Sequence, residues 1–338
     1  MKPLRKKTKL FLLFVIGIFS LYLISWSFDF SKGKDFKLGI TFSQYYTKEQ
    51  LGLDWRKTYL AILDDLNPSY LRLIAYWQYL EPEEGIFDFR DLDWQIAEAQ
   101  KRDKKIILVV GHRVPRWPEC HAPQWLQNQK LKIKNQKLLD YIEKTITHYK
   151  NNEAIIAWQV ENEPLLEVFG KCPKPDREFL KKEIAQVQSL DPTRPIIVTD
   201  SGELSLWWRT AGLSEILGTT LYRKVWNQYI GYFKHLYPPV FYTLRAWIAK
   251  KFFGNQKIII SELQGEPWAP GHQSLAKFPL DEQLEHFSPE DLEKNVEFAK
   301  KTGLDEIYLW GAEWWYWLKT KQNNSQFWNE AKELFSNP

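Results

Sequence analysis

The chain has 338 residues, enough for one large domain, and a formal net charge of only +4. Much of the positive excess lies in the first ten residues, so no basic face argues for nucleic acid as a partner. Six scattered histidines and two cysteines form no metal-binding pair, and no strand is followed by a phosphate loop or a nucleophile elbow. We therefore expect neither a metal nor a cofactor.

The N-terminal residues are predicted to lie outside the folded domain. An uncharged run from Leu10 to Ser27 is long enough to cross a hydrocarbon core of about 30 Å. Because the basic residues before it favour the cytoplasm, the rest of the chain is expected to be exported. Two interpretations remain: an uncleaved signal anchor, favoured by the length of the run, or a signal peptide cut after Ser27. The basic residues are Lys2, Arg5, Lys6, Lys7 and Lys9.

Residues 1–9 are thus assigned to the cytoplasm, 10–27 to the membrane or signal segment, 28–35 to a linker, and 36–338 to one folded domain. In that domain, short apolar runs alternate with segments of helical periodicity. The predicted strands are Phe36–Phe42, Tyr70–Ala75, Lys105–Val110, one within 155–164, Pro195–Thr199, Ile216–Leu221, one within 257–268 and Glu306–Trp310. Six helices are predicted, over Asp54–Leu66, Leu92–Lys101, Asn135–Tyr149, Asp176–Leu190, from Ser288 onward and over Asn323–Phe335. Eight strands alternating with helices predict a single α/β (β/α)8 barrel.

Two of the strands end in carboxylates. Residues 155–164 form an apolar run that ends in Glu161, Asn162 and Glu163, and residues 257–268 form another that delivers Glu262. Buried carboxylates are costly without partners, so a ligand is expected to meet them there. Two glutamates on separate parallel strands suit the hydrolysis of a glycosidic bond, in which one protonates the leaving oxygen and the other attacks the sugar carbon.

The motif Asn162-Glu163-Pro164, followed about a hundred residues later by a strand ending in Glu262, resembles glycoside hydrolase clan A. This clan comprises retaining (β/α)8-barrel glycosidases, with xylanase-like, cellulase-like and β-galactosidase-like members. The resemblance implies that Glu163 is the acid/base, that Glu262 is the nucleophile, and that Asn162 holds the sugar 2-hydroxyl.

Six further residues are predicted to bind the substrate or support the catalytic pair. The resemblance implies that Arg72 supports the nucleophile, although an arginine paired with any buried acid is an equal alternative. It also implies that Tyr222 donates a hydrogen bond to the nucleophile and that Trp310 lies under the sugar being cleaved. His112 ends the third strand, where a structural role is the alternative to lining the sugar pocket. Trp77 and Trp268, which follow the second and seventh strands, complete the set.

Cys120 and Cys172 are the only cysteines, and they lie in the loops after the third and fourth strands. Neighbouring loops can bring two Cα atoms within the distance that a disulfide requires, and an exported domain meets an oxidising compartment. A disulfide is therefore predicted, with two free thiols as the alternative. It would stabilise the domain by about 2 to 4 kcal/mol.

The predicted function is that of a monomeric endo-β-glycanase that acts by double displacement on a plant-type or cell-surface polysaccharide. An exo-acting β-galactosidase or β-glucosidase is one alternative. The other is a catalytically inactive barrel that binds glycans at the cell surface, because a fold alone does not give activity.

Overall fold

The computed structural model describes residues 6–126 and 128–336, and its centre is a closed barrel of eight parallel strands. The barrel strands are β1 (Lys37–Thr41), β2 (Tyr70–Ile74), β3 (Lys105–Val110), β4 (Ile155–Val160), β5 (Ile196–Asp200), β6 (Ile216–Leu221), β9 (Lys257–Gln264) and β10 (Glu306–Trp310). Their order around the barrel is β1-β10-β9-β6-β5-β4-β3-β2. A hairpin of β7 (Lys224–Asn227) and β8 (Gly231–Lys234) follows β6. The predicted parallel barrel is confirmed.

The helices lie outside the barrel, most of them between two strands. They are α1 (Lys6–Ser25), α2 (Trp55–Ala61), α3 (Trp77–Leu80), α4 (Arg90–Gln100), α5 (Leu131–Tyr149), α6 (Arg177–Leu190), α7 (Pro239–Phe253), α8 (Leu280–His286), α9 (Pro289–Lys301), α10 (Ala312–Lys321) and α11 (Gln326–Ser336). A π-helical turn over Ile62–Leu66 extends α2. The six predicted helices are present. The helices α3, α7, α8 and α10 and the hairpin were not predicted: α3 and α8 are short, and the apolar residues of α7 and α10 lack a clear one-sided period.

Side chains of each strand alternate between two apolar layers. Ile106, Leu108 and Val110 of β3 join the large cluster between strands and helices. Ile107 points the other way and packs with residues of β4, β5, β9 and β10 inside the barrel, including Tyr308. The period of two thus decides which side chains reach the barrel interior.

A β-bulge interrupts this alternation at the end of β9. On the β6 side, Thr219 pairs with Ile260 and Thr220 with Glu262, so Ser261 is the extra residue. The pairing with β10 also shifts register between Ile260 and Leu263. Without the extra residue, Glu262 would face the helices as Ile260 does. The bulge therefore turns the glutamate towards the barrel axis.

The N-terminal helix α1 projects from the barrel. Most large apolar side chains from Leu10 to Ile24 are exposed, whereas Tyr22 donates a hydrogen bond to the Leu236 carbonyl and Trp26 packs against Phe298. Across residues 6–126 and 128–336, no helix meets the length and apolarity that crossing a membrane requires. The predictions for Lys2 and Arg5 lie outside the described residues.

The predicted disulfide is confirmed. Cys120 and Cys172 are bonded, with their Cα atoms 5.3 Å apart, and they join the loops after β3 and β4. The loop after β3 also carries three side chains, those of Arg116, Trp117 and Glu119, into a cavity at the carboxyl ends of the strands. The bond therefore fixes one wall of that cavity.

Candidate active site

Arg72 of β2 is fully buried inside the barrel, where it binds the carboxylate of Glu262. Its Nη1 donates to Glu262 Oε1 at 2.9 Å and to the Ser261 carbonyl at 3.3 Å. Its Nε donates to Gln159 Oε1 at 2.7 Å, and its Nη2 donates to Asn162 Oδ1 at 2.8 Å. A buried charge is tolerated when it is paired and hydrogen-bonded, and this guanidinium uses all three nitrogens.

The second carboxylate oxygen of Glu262 accepts a hydrogen bond from the Tyr222 hydroxyl at 3.1 Å. Burial raises the pKa of Tyr222 well above its usual value, so the hydroxyl keeps its proton and acts as a donor. Glu262 is thus bound by a donor on each oxygen. This arrangement suits an ionised, immobilised carboxylate, which is the form that a nucleophile needs.

Asn162 follows β4, and its side-chain amide has one fixed orientation. Its Oδ1 accepts hydrogen bonds from Arg72, from Gln159 at 3.3 Å and from Thr199 at 3.2 Å. Its Nδ2 faces the opposite way and donates to Glu119 Oε2 at 3.2 Å. Since three donors surround the oxygen, the amide cannot flip without losing these bonds. The Nδ2 group therefore keeps a second N–H for another acceptor.

Glu163 lies in the same turn and has a left-handed backbone with φ of 44°. Its backbone N–H donates to Thr199 Oγ1 at 2.8 Å, which anchors the turn to β5. Burial raises the pKa of Glu163 well above the usual value, and the negative charges of Glu262 and Glu119 raise it further, against the effect of Arg113. Glu163 is therefore favoured in the protonated form beside an ionisable partner.

Glu161, two residues earlier, has a structural role. Its carboxylate accepts hydrogen bonds from the backbone N–H groups of His112 at 2.6 Å and Arg113 at 2.7 Å. Gly111 has φ of 134°, and a Cβ atom there would lie 2.4 Å from Glu161 Oε1. Glu183 lies near Glu161, and burial raises the pKa of both groups. The carboxylate thus joins the ends of β3 and β4.

Glu163 and Glu262 face one cavity of about 550 Å³. Of the predicted substrate-binding residues, Tyr222, Trp268 and Trp310 line it. Arg72 and Asn162 do not line it. Arg72 binds Glu262, and Asn162 lies next to Glu163 in the turn after β4. The rest of the wall comes from the loops after β1, β3, β4, β5, β6 and β9, including the β7–β8 hairpin. The cavity has the size and the aromatic content of a binding site for a small ligand or a few sugar units.

The structure places Trp77 and His112 outside the cavity lining. Trp77 is buried in the helical layer, where it stacks on Tyr141 and donates from Nε1 to Glu81 at 2.7 Å. The His112 ring lies 6.2 Å from the Trp77 ring, and burial lowers its pKa to about 4. Trp77 packs on Tyr141, and His112 packs beside Trp77, so neither side chain is among the proposed substrate contacts.

A second charged group, built around Arg116, was missed by sequence reasoning. Arg116 lies 3.6 Å from the Tyr46 ring centroid and 3.9 Å from that of Trp310. Its guanidinium binds Glu266, and its Nη2 donates to Glu313 at 3.1 Å. Trp310 also donates from Nε1 to Glu266 at 2.9 Å. One face of the Trp310 ring is thus covered by a guanidinium, which leaves less of this ring for a sugar than the sequence implied.

Within the described ranges, no cluster of three or more histidine, cysteine, aspartate or glutamate side chains could hold a metal ion. The arrangement described above is instead a pair of carboxyl groups in contrasting environments. One is bound by cationic and hydroxyl donors, and the other is buried beside negative charge. Such pairs act as nucleophile and acid in glycoside hydrolysis.

Comparisons with known proteins define the class. A parallel barrel with glutamates at the ends of its fourth and seventh barrel strands is typical of clan A glycosidases. In this chain those strands are β4 and β9. The model of glycosyl hydrolase family 10 matches residues 73–174, a segment that includes Asn162 and Glu163. The predicted resemblance to clan A is therefore confirmed.

Curated relatives match part of the chain. The β-galactosidase BgaA of Clostridium cellulovorans is 25% identical over 193 residues, which are 51% of this chain and 28% of that protein. The endo-1,4-β-xylanase A of Humicola insolens is 26% identical over 175 residues, 45% of this chain and 43% of that protein. The chain thus spans less than half the length of these relatives.

Solved structures share the fold at low sequence identity. Native xylanase 10B from Thermotoga maritima has a TM-score of 0.57 at 12% identity, over 90% of this chain and 97% of that one. The exo-β-1,4-mannosidase Op5Man5 from Opitutaceae bacterium strain TAV5 also has a TM-score of 0.57 at 12% identity, over 85% of this chain and 54% of that one. At these identities the likeness establishes the barrel fold.

Replacing Arg72 tests how far the site depends on this residue. Arg72→Met leaves the Glu262 carboxylate and the Asn162 amide without their buried donor, so the free energy of unfolding is expected to fall by about 3 to 5 kcal/mol. Urea denaturation followed by tryptophan fluorescence measures the change. Arg90→Met is the control, because Arg90 forms an exposed ion pair with Asp88 that solvent screens, so its loss is expected to change the stability little. A second change, Glu262→Gln, should restore part of the stability of Arg72→Met. Equal losses for Arg72→Met and Arg90→Met would contradict this interpretation.

Proposed function

We propose that this chain is a retaining β-glycoside hydrolase in which Glu262 is the nucleophile and Glu163 is the acid/base. The observation that carries the proposal is the contrast between the two carboxyl groups across one cavity. Glu262 is held by Arg72 and Tyr222 as an acceptor. Glu163 has a pKa raised by burial and by the charge of Glu262.

In the first step, Glu262 attacks the anomeric carbon while Glu163 gives its proton to the leaving oxygen. The C–O bond to the leaving group breaks, and an ester between the sugar and Glu262 forms. Once Glu262 is esterified, its negative charge no longer raises the pKa of Glu163. The acid that gave up a proton is then better able to remain ionised and to take a proton from the attacking water.

The sign of the pH dependence follows from the raised pKa of Glu163. Protonated Glu163 is required for the first step, so kcat/KM is expected to be high below this pKa and to fall as the pH rises through it. Asn162 supports the same step, because its free Nδ2 N–H is placed to bind a sugar hydroxyl beside Glu163.

Azide rescue distinguishes the two glutamates. Glu262→Ala should abolish turnover of β-glycosides, and added azide should enter from the face that the nucleophile leaves empty, giving the α-glycosyl azide.

Glu163→Ala should slow cleavage of a sugar leaving group by about 10²- to 10⁴-fold and should slow cleavage of an activated aryl leaving group less. With azide it should give the β-glycosyl azide. NMR of the products decides the anomeric configuration. A β-azide from Glu262→Ala would reject the assignment, and glycan binding by an unaltered chain without turnover would favour the inactive barrel.

We also propose that the substrate is a β-linked polysaccharide cut internally. Support comes from the aromatic cavity walls and from relatives named as xylanases and mannan endo-1,4-β-mannosidases. Because the chain covers only part of these relatives, the substrate is carried over as a proposal.

One observation favours the alternative of exo action. Trp117 of the β3 loop stacks on His272 of the β9 loop, with ring centroids 4.0 Å apart and planes 7° apart. Together with the contact of Arg116 with Glu266, this stacking joins two loops across one side of the cavity. A cleft closed on one side would admit only a chain end.

Product size separates endo from exo action. On soluble xylan and β-mannan, an endo enzyme should release oligosaccharides first and lower the viscosity early. Release of single sugars only, with slow loss of viscosity, would establish exo action instead. Chromatography of products at less than about one-tenth of full conversion makes the comparison, with activity on aryl β-glycosides as the control for a competent site.

The proposed location is outside the cytoplasm, with α1 attached to a membrane. The exposed apolar side chains of α1 support this proposal, and so does the exposed face of α7 that carries Leu244, Trp247 and Phe252. Trp26, which follows α1, and Tyr242 of α7 both contact Phe298, so the end of α1 and α7 lie on the same side of the barrel.

Fractionation of cells that express the full chain tests the location. The chain should stay with membranes after alkaline carbonate washing, and protease added outside the cytoplasmic membrane should digest the barrel. A secreted soluble protein whose N-terminus follows Ser27 would identify a cleaved signal peptide. Recovery in the cytoplasm would reject export altogether.

A further inference from the structure

A third carboxyl group, that of Glu119, lines the cavity beside the catalytic pair. The side chain is buried, and it lies in the loop after β3 next to Cys120. None of the motifs that indicated Glu163 and Glu262 includes this residue. A third carboxyl group makes it harder to ionise any of the three, so its position in the cavity calls for a physical reason.

The backbone of this loop commits Glu119 to the cavity. Glu119 has φ of 74°, a left-handed conformation that non-glycine residues seldom adopt. Its N–H donates to the Arg116 carbonyl and its carbonyl accepts from the Val114 N–H, both at 2.8 Å. The Cys120–Cys172 bond and a close approach of Gly170 to the Glu119 Cβ hold the turn from the other side. Such strain persists only where the surrounding structure enforces it.

Glu119 completes the fixation of Asn162. The Oδ1 atom of Asn162 already accepts three hydrogen bonds, so the amide nitrogen must point the other way, towards Glu119. Glu119 Oε2 takes one N–H of this nitrogen at 3.2 Å. The remaining N–H is thereby aimed at one position, because the amide plane is held at both ends.

The charges around Glu119 are mixed. Glu262 faces it with negative potential, and Glu163 lines the same cavity. Arg113, whose Nε lies 3.9 Å away, and Arg72 act in the opposite sense. Arg116 is in the same turn, but its guanidinium is engaged by Glu266 and Glu313. Burial, followed by the charge of Glu262, raises the pKa of Glu119 to about 7.

We propose that Glu119 is a positioning residue of the reaction, which orients the Asn162 amide and adds a carboxylate charge that keeps Glu163 protonated. This inference rests on the proposed function. Glu119 contacts Asn162, and its effect on Glu163 is electrostatic. Near neutral pH Glu119 ionises, and its negative charge then opposes the ionisation of Glu163. Glu163 thereby keeps the proton that the first step requires. Below that range Glu119 is neutral and acts through its hydrogen bond alone.

Glu119→Gln separates these two contributions, because glutamine keeps an acceptor for Asn162 and lacks the charge. Below about pH 6 its kcat/KM on an aryl β-glycoside should stay within about threefold of the unaltered chain, since a neutral carboxyl and an amide offer the same acceptor. The alkaline limb should move to lower pH by about one unit, as expected when a nearby like charge is removed. Glu119→Ala should show the same shift and in addition lose about tenfold in kcat at low pH, because Asn162 loses its partner.

Glu167→Gln is the matched control, because Glu167 is exposed on the neighbouring β4 loop and pairs with Arg209 at 3.6 Å. Its removal should leave the pH profile unchanged, since solvent screens its charge. An alkaline limb that stays in place in Glu119→Gln would overturn the electrostatic role. Equal kcat for Glu119→Gln and Glu119→Ala at low pH would overturn the orienting role. Failure of the proposed function would look different: the unaltered chain would show no turnover, or Glu262→Ala would retain it.

Discussion

The ion pair between Arg72 and Glu262 is the interaction on which the site depends. A guanidinium fully enclosed in a barrel would be very costly unless its charge and its N–H groups were matched. The barrel supplies acceptors from three neighbouring segments: Gln159 on β4, Asn162 after it, and the carboxylate after the bulge in β9. The same contacts that satisfy the buried charge therefore fix the nucleophile and the amide next to the acid.

Carboxylates are concentrated at this end of the barrel, and each group is balanced differently. Glu266 and Glu313 share Arg116, whereas Glu161 accepts hydrogen bonds from the backbone after β3. Glu163 has neither kind of partner among the hydrogen bonds of its side chain in the described structure, and its pKa is raised. A group left without compensation in a buried, negatively charged cavity is suited to carry a proton, which is the property that an acid catalyst needs.

Several features of the site follow from local sequence, and others do not. Glu163 and Glu262 could be predicted because each ends an apolar run, and the resemblance to clan A gave them roles. Arg116 and Glu119 lie in a loop without periodicity, so nothing local marked them as part of the cavity. The one signal available was the neighbouring cysteine, since a disulfide at this rim implied a fixed loop.

The sequence by itself determined the barrel, because apolar runs that alternate with helical periods can bury their surfaces in few other ways. It also determined that polar residues after those runs meet at one end of the parallel strands. The pairing of the two cysteines was predicted with free thiols as the alternative, and the structure decided it. Only the tertiary structure decided which tryptophans face the cavity: Trp310 does and Trp77 does not. It also decided, through the bulge at Ser261, that Glu262 points inward. A bulge depends on the register with both neighbouring strands, and a buried hydrogen bond depends on segments far apart in the chain, so these properties exist only once the barrel has closed.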